Sequence, residues 1–303
     1  LAKAIGHRQA LGHAANILGN IGSARYSYDF AFKWTQVFHE VAREVGDRQG
    51  LAWALNSFAT DFYAQGDFQR ALAYSVLVLP ILSEIGDKWS MSISINNLGR
   101  ILRRLDDDHH TEESYRLAIM LGSTLGIPGL LAYMEHDLSE ILLEQHRLDE
   151  ADAAYREAQT SASSVTGNYL GGNDVRFNLS VLGVRLRHAQ GYLTQAQAVA
   201  EFERLLSIWT SPEQQAELYW RAWQTDSSLE SHRLAATKQF YALATTTSAI
   251  LFRQRYHELT SEWLPTPAPL PDLPDVVVQV PVDVDALMAD LRAAVALLLA
   301  HSP

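Results

Sequence analysis

The chain has no cysteine in 303 residues. That excludes disulfides, thiolate metal sites and cysteine nucleophiles, and it suits a reducing compartment. Basic charge is scarce: 24 Lys and Arg stand against 35 Asp and Glu, a formal net charge of -11. An acidic surface repels phosphate backbones, so nucleic acid is not an expected partner. Long hydrophobic runs are also missing. The nearest approach, Ala286 to Ala300, is interrupted by Asp290 and Arg292 and is short for a bilayer. The N-terminus lacks a basic segment followed by a continuous apolar stretch, so no secretory signal is read. These features predict a cytoplasmic protein with no membrane partner. The chain begins at Leu1, not Met, which fits a fragment of something larger. A Walker phosphate loop, His-Glu-x-x-His, Gly-x-Ser-x-Gly and the dinucleotide glycine fingerprint are all lacking, so no enzyme activity, catalytic residue, cofactor or metal site is expected.

What is present is a repeat. Gly46-Asp47 recurs as Gly86-Asp87, with glycines at the same phase at Gly6 and Gly126. Between them one phrase returns every 40 residues: Ala15-Asn16-Ile17-Leu18-Gly19, Leu55-Asn56-Ser57-Phe58-Ala59, Ile95-Asn96-Asn97-Leu98-Gly99. Each unit reads as two helices around a short turn. In the second unit Leu51, Leu55, Phe58 and Phe62 form one amphipathic stripe, and Ala71, Tyr74, Val78 and Leu82 form the next. Between them Gly66 suits a helix end and Asp67 a helix cap. The small residue opening each second helix falls at Ala31, Ala71, Thr111 and Ala151, and the large apolar residue of each first helix at Leu18, Phe58, Leu98 and Leu138. Leu182-Gly183 starts a fifth copy, displaced by an insertion at 167–173. A sixth, less regular pair covers Glu213–Asp226 and Ser231–Glu262. Pro80 predicts a local bend in the second helix of unit two. Nearly half the residues (48%) are hydrophobic, enough to give such an array a continuous core.

The pattern resembles the tetratricopeptide repeat. The Leu-Gly step stands at Leu18-Gly19, Leu98-Gly99 and Leu182-Gly183; the later alanine at Ala31, Ala71 and Ala151; the aromatic of the second helix at Tyr115 and Tyr155, with Thr35 and Ser75 departing. The closing proline is replaced by Gly or Gly-Asp. The period is 40, against about 34 for the familiar unit, and implies longer helices. That longer variety is similar to the repeats of MalT-like and other STAND signal-transduction ATPases. The resemblance implies an all-α, right-handed superhelix of five to six helix pairs over residues 1–263.

In this family the first helices line a concave groove, which implies a protein- or peptide-binding scaffold. Two residues before each Leu-Gly step come Asn16, Asn56 and Asn96, then His136 and Ser180. An Asn ladder can donate to a carbonyl and accept from an N–H of an extended peptide. It resembles the ladder of kinesin light chains and of bacterial peptide-sensing regulators. Equally, such asparagines can bond neighbouring helices. Arg100, Arg103 and Arg104 follow on the same face, continued by Arg187 and His188, and Arg pairs bidentately with carboxylate or phosphate. Trp53 and Tyr63 offer flat anchors for an apolar side chain. The partner implied is a protein segment of acidic character, or another domain of a parent chain. In that second case the array is the sensor or autoinhibitory module of a larger ATPase or transcription regulator.

His109-His110 follows Asp106-Asp107-Asp108; a single turn rarely fixes tetrahedral geometry, so it reads as a solvated polar turn. His136 and Glu140 read as a surface polar pair. Beyond Trp263, Pro265, Pro267, Pro269, Pro271 and Pro274 predict an extended linker over 264–275. Residues 276–303 predict a short valine-rich strand at 276–280 and an amphipathic helix with Met288, Leu291, Val295 and Leu298 on one face.

Overall fold

The computed structural model describes residues 2–163, 175–273, 276 and 281–300, with the side chains of 2–5 excepted. Among these residues the chain forms fourteen helices: α1 (Ala2–Ala24), α2 (Tyr28–Val45), α3 (Arg48–Ala64), α4 (Phe68–Ile85), α5 (Lys88–Arg104), α6 (Asp108–Ser123), α7 (Pro128–Glu144), α8 (Leu148–Ala162), α9 (Val175–Ala189), α10 (Gln195–Leu206), α11 (Pro212–Thr225), α12 (Glu230–Thr246), α13 (Ile250–Thr260) and α14 (Val284–Ala300). No strand occurs among them. The expected strand at 276–280 lies outside the described residues except for Val276, whose N–H turns back to the Leu273 carbonyl at 3.2 Å. The insertion at 167–173 also lies outside them.

The helices pack as consecutive hairpins, and the turns explain why. A residue with positive φ recurs every 20 positions, at Tyr26, Gly46, Gly66, Gly86, Asp106, Gly126 and His146. The following residue caps the next helix. Asp47, Asp67, Asp87 and Asp107 each accept from a backbone N–H three residues on, at Gly50, Arg70, Ser90 and His110, over 2.9–3.2 Å. The left-handed residue ends one helix and the carboxylate satisfies the open donors of the next. A 20-residue half-repeat therefore underlies the 40-residue period.

Two compact units result, divided differently from the expected 1–263 array and separate tail. The first unit is Leu1–Ile127 with Pro267–Pro303, and the second is Pro128–Thr266. In the first, Phe32, Phe58, Phe62 and Tyr74 form a buried ring cluster with centroids 5.0–5.8 Å apart. Leu98 is equally buried, whereas Leu18, in the opening hairpin, is only half-buried. The Leu-Gly step is a close-approach device. A Cβ at Gly99 would stand 2.6 Å from the Tyr115 ring, which lies fully buried against α5. Where Ala59 replaces the glycine, Ser75 replaces the aromatic, and its hydroxyl bonds back to the Ala71 carbonyl at 3.0 Å.

α4 is the one described helix long and apolar enough to cross a membrane, a property it owes to Ala71, Leu72, Val78 and Leu82, all buried in the first unit. It runs unbroken across Pro80, whose ring is on the exposed face. In the second unit the expected helix Ser231–Glu262 is two helices. Thr246 and Thr247 direct their hydroxyls to the Ala242 and Leu243 carbonyls, and Thr247 is extended, ending α12. Arg253, buried at the resulting corner, donates to the Thr247, Ala249 and Pro265 carbonyls.

The tail belongs to the first unit. Leu270 and Leu273 are buried, Arg70 donates to the Leu270 carbonyl and to Asp272 at 3.0 Å each, and α14 packs on α4 and α6 through Leu287, Met288, Leu291, Val295 and Leu298. It thus covers second helices of the array. Arg292 pairs with Glu113 at 2.6 Å.

Gly99→Ala should destabilise the protein by about 1–3 kcal/mol through overpacking against Tyr115, measured by urea unfolding. The pair Gly99→Ala/Tyr115→Ser, which reproduces the Ala59/Ser75 solution, should recover part of that loss; strictly additive effects would refute the close-approach account.

Candidate binding surface

Within the first unit α1, α3 and α5 are the first helices of successive hairpins. Their accessible stripe runs through His13, Ile17 and Asn20 on α1, Trp53, Ser57, Thr60 and Ala64 on α3, and Ile93, Asn97, Arg100 and Arg104 on α5. The asparagine ladder is one position off this stripe, a rotation of about 100° on a helix. Asn16 and Asn56 are half-buried and Asn96 is fully buried. Asn56 Oδ1 accepts from Ser94 Oγ at 3.2 Å and from Asn97 Nδ2 at 3.5 Å, both on the next first helix. In this structure Asn96 is therefore sealed and Asn56 joins α3 to α5, the interhelical alternative. Asn97 takes the open position.

The aromatic and cationic residues gather in two patches. At the start of the helices Trp53 meets Trp89 edge-on at 6.5 Å and donates its indole N–H to Ser90 Oγ at 2.8 Å. Ser90 in turn bonds the Asp87 carboxylate, as does Gln49 at 3.0 Å. Burial alone would raise the Asp87 carboxyl, but the bonds from Ser90 and Gln49 outweigh it and hold it below its ordinary range. At the helix ends the Arg100 guanidinium lies 5.4 Å from the Tyr63 ring centroid and Arg104 lies 4.9 Å from that of Phe68, while Tyr63 and Phe68 touch at 5.6 Å. Arg103 is half-buried beside them in sequence. The ten residues from Trp53 to Tyr63 separate the patches by about 15 Å. That is the reach of a short extended segment, at about 3.3 Å per residue.

Beneath the second patch lies a group that sequence reasoning passed over. Ile21, Ile101 and Ile141 occupy one repeat position, and Asp61 stands there in α3. Asp61 is 1% exposed; Ser23 Oγ approaches Oδ1 at 3.5 Å, and Oδ2 has no hydrogen-bond partner. Burial drives its carboxyl well above the ordinary range. Neighbouring Tyr28 is also pushed upward by burial, with Tyr26 and Asp61 adding to the effect and Arg100 opposing it. A carboxyl in a column of isoleucines is the signal that would have exposed it.

In the second unit Arg187 is exposed; it donates to the Gly183 carbonyl of its own helix at 3.1 Å and faces Glu201 of α10 at 3.9 Å. Two residues earlier Arg185 bonds Glu140 of α7 at 2.5 Å. Arg221 pairs with Glu217 at 2.7 Å, and the Arg221 and Arg255 guanidinium groups lie 4.3 and 3.5 Å from the Trp220 ring centroid. Arg185, Arg221 and Arg255 thus come from α9, α11 and α13, at spacings of 36 and 34 residues that escaped the 40-residue template. Burial, helped by the Arg185 and Arg255 charges, lowers the Arg221 pKa, with Glu217 and Glu140 opposing. His136 is not a surface residue: it is buried and lies 3.2 Å from the Asp137 carboxylate, because α7 packs against both α8 and α9.

No protein-family model and no curated protein sequence matches the chain. Solved structures do. The apo form of RapI superposes with a TM-score of 0.57 at 12% identity, over 82% of this chain and 85% of that one. A Rap protein complexed with Competence and Sporulation Factor gives 0.57 at 14%, over 85% and 65%. A STAND protein with a tetratricopeptide repeat sensor from Pyrococcus horikoshii gives 0.53 at 13%, over 82% of this chain and 39% of that one. The chain has the fold of a tetratricopeptide-type helical repeat protein, and it spans well under half the length of the STAND protein.

Asp61 makes stability depend on pH. Its raised folded pKa means the native state holds a proton that the unfolded chain releases near 3.8, so stability falls as pH climbs from there through the folded value. Asp61→Asn should match the parent near pH 4 and exceed it by more than about 1 kcal/mol at pH 7, read from urea midpoints. A difference that does not change with pH would show that the carboxyl is not protonated in the fold.

Proposed function

We propose that this protein is a non-enzymatic scaffold that binds a protein or peptide segment, acidic in character, along its first-helix face. The observation that carries the reading is the row Tyr63, Phe68, Arg100 and Arg104 at the ends of α3 and α5 and the start of α4. A guanidinium fork matches a carboxylate bidentately, and the aromatic rings beside these arginines can take the apolar part of the same guest. Trp53 and Trp89 supply a second anchor, and Asn97, with Asn56 holding it, supplies backbone recognition between the two. Asn16 and Arg103 flank the site, and Asn96 supports it from within; Arg187 belongs to the second unit. The net charge of -11 makes a cationic patch distinctive on this chain, since the chain as a whole repels an acidic guest. The likeness to a Rap protein complexed with Competence and Sporulation Factor supports a peptide guest.

A second reading draws on the likeness to a STAND protein with a tetratricopeptide repeat sensor, of which this chain spans 39%. Here the array is the sensor of a longer regulatory chain, and the same face binds another domain of it. Both readings place the protein in the cytoplasm and use the same arginines.

Arg100→Ala/Arg104→Ala should weaken capture of acidic peptides from a displayed library by at least about 100-fold, each lost charged hydrogen bond contributing about 1.5–3 kcal/mol. The melting temperature should hold, and parent affinity should fall with added salt. Peptides bound equally by parent and variant would refute the assignment.

A further inference from the structure

The turn His109-His110 does not stand alone in the fold. One ligand atom from each of His109, His110 and Glu113 lies within 4.8 Å of the others. Asp285, at the start of α14, brings Oδ1 to 3.2 Å from His110 Nε2, although 175 residues separate the two in sequence. We propose that His109, His110, Glu113 and Asp285 form a site for a divalent transition-metal ion, Zn²⁺ by its chemistry, that clasps the C-terminal helix to α6.

Four features carry this assignment. The donor set is two imidazoles and two carboxylates, which suits zinc and disfavours calcium or magnesium, whose preferred ligands are all oxygen. Ligand atoms on one tetrahedral ion stand about 3.3 Å apart, from bonds of about 2.0–2.1 Å. The His110–Asp285 pair is already at that spacing, the His109, His110 and Glu113 atoms lie within 4.8 Å of one another, and the exposed His109 and Asp285 side chains would turn inward to complete the tetrahedron. His110 is also oriented as a metal ligand would be. Asp107 accepts its backbone N–H at 3.2 Å and holds Nδ1 at 2.8 Å, which leaves Nε2 directed at Asp285. A carboxylate on the far ring nitrogen fixes the tautomer and raises ligand basicity. Finally, Arg292 of α14 engages Glu113 Oε1 at 2.6 Å, a second tie between the tail helix and the ligand-bearing turn of α6. The positive end of α6 opposes a cation here, and the carboxylates of Asp106, Asp107 and Asp108 offset it. The sequence alone shows one polar turn; the tail supplies the second element that a rigid site needs.

Binding at this position links metal to tail docking, because Asp285 is contributed only while α14 lies on α6. The test uses the full chain without an affinity tag. Calorimetric titration should show one equivalent of Zn²⁺ bound, Co²⁺ should give the visible absorption of a four-coordinate ion, and Zn²⁺ should raise the melting temperature and protect α14 from protease. His109→Ala, an exposed change that leaves the helix cap intact, and His110→Ala should each weaken Zn²⁺ by at least about 10-fold with unaltered circular dichroism. Asp285→Ala should weaken it comparably and abolish the protection. No saturable Zn²⁺ binding at micromolar concentration, or binding unaffected by the histidine changes, overturns the site. Parent-like affinity in Asp285→Ala overturns the clasp.

Discussion

The structure depends on the turn that recurs every 20 residues. A left-handed residue ends one helix, and at four of these turns the next residue is an aspartate whose carboxylate accepts an open N–H in the first turn of the following helix. Each turn is local, so it forms without help from distant contacts, and each sets the rotation at which the next helix leaves. Four aspartates at constant spacing hold α3 to α6 in one phase. Once the phase is set, apolar residues at positions 40 apart meet in one core, because a helix repeats its facing about every 3.6 residues.

Packing between the layers then turns on volume. Gly99 admits the ring of Tyr115, while Ala59 fills the same space with its own methyl and leaves room only for Ser75. The departure at Ser75 from the tetratricopeptide aromatic is thus readable as a change of partner volume, since close-packed interiors register single methyl groups. Thr35, paired with Gly19, uses its hydroxyl as Ser75 does, bonding the Ala31 carbonyl at 3.0 Å. Asp61 breaks the rule of apolar filling at one point and sits where the chain otherwise places isoleucine. A buried carboxyl is an unfavourable choice for stability alone, and it lies close to Tyr28, which in turn feels Arg100 of the first-helix face assigned to binding.

The two faces of the first unit divide the work. The first helices leave aromatic and cationic side chains accessible, and the second helices are covered by the chain's own tail. Leu270, Leu273 and the apolar side of α14 bury surface that would otherwise meet water, and the pairs Arg70–Asp272, Arg292–Glu113 and His110–Asp285 set its register. Exposed ion pairs add little energy, so burial holds the tail and the charges choose where it lies.

Local chemistry carried through directly from residue to fold. The hairpins, their caps, the Leu-Gly close approach and the 40-residue phase were legible because each is decided within a few residues of chain. The run of threonines at 245–247 was legible on the same terms, yet it was missed, and one expected helix is two. Which side chains face outward was not legible. A single step along a helix turns a residue by about 100°, enough to move the ladder from the open position of Asn97 to the sealed position of Asn96. The meeting of Asp285 with His110, and of Arg185, Arg221 and Arg255 on successive helices, joins residues far apart in the chain. Only the packed structure settles such pairs, because side-chain contact depends on distance in space and a sequence records distance along the chain.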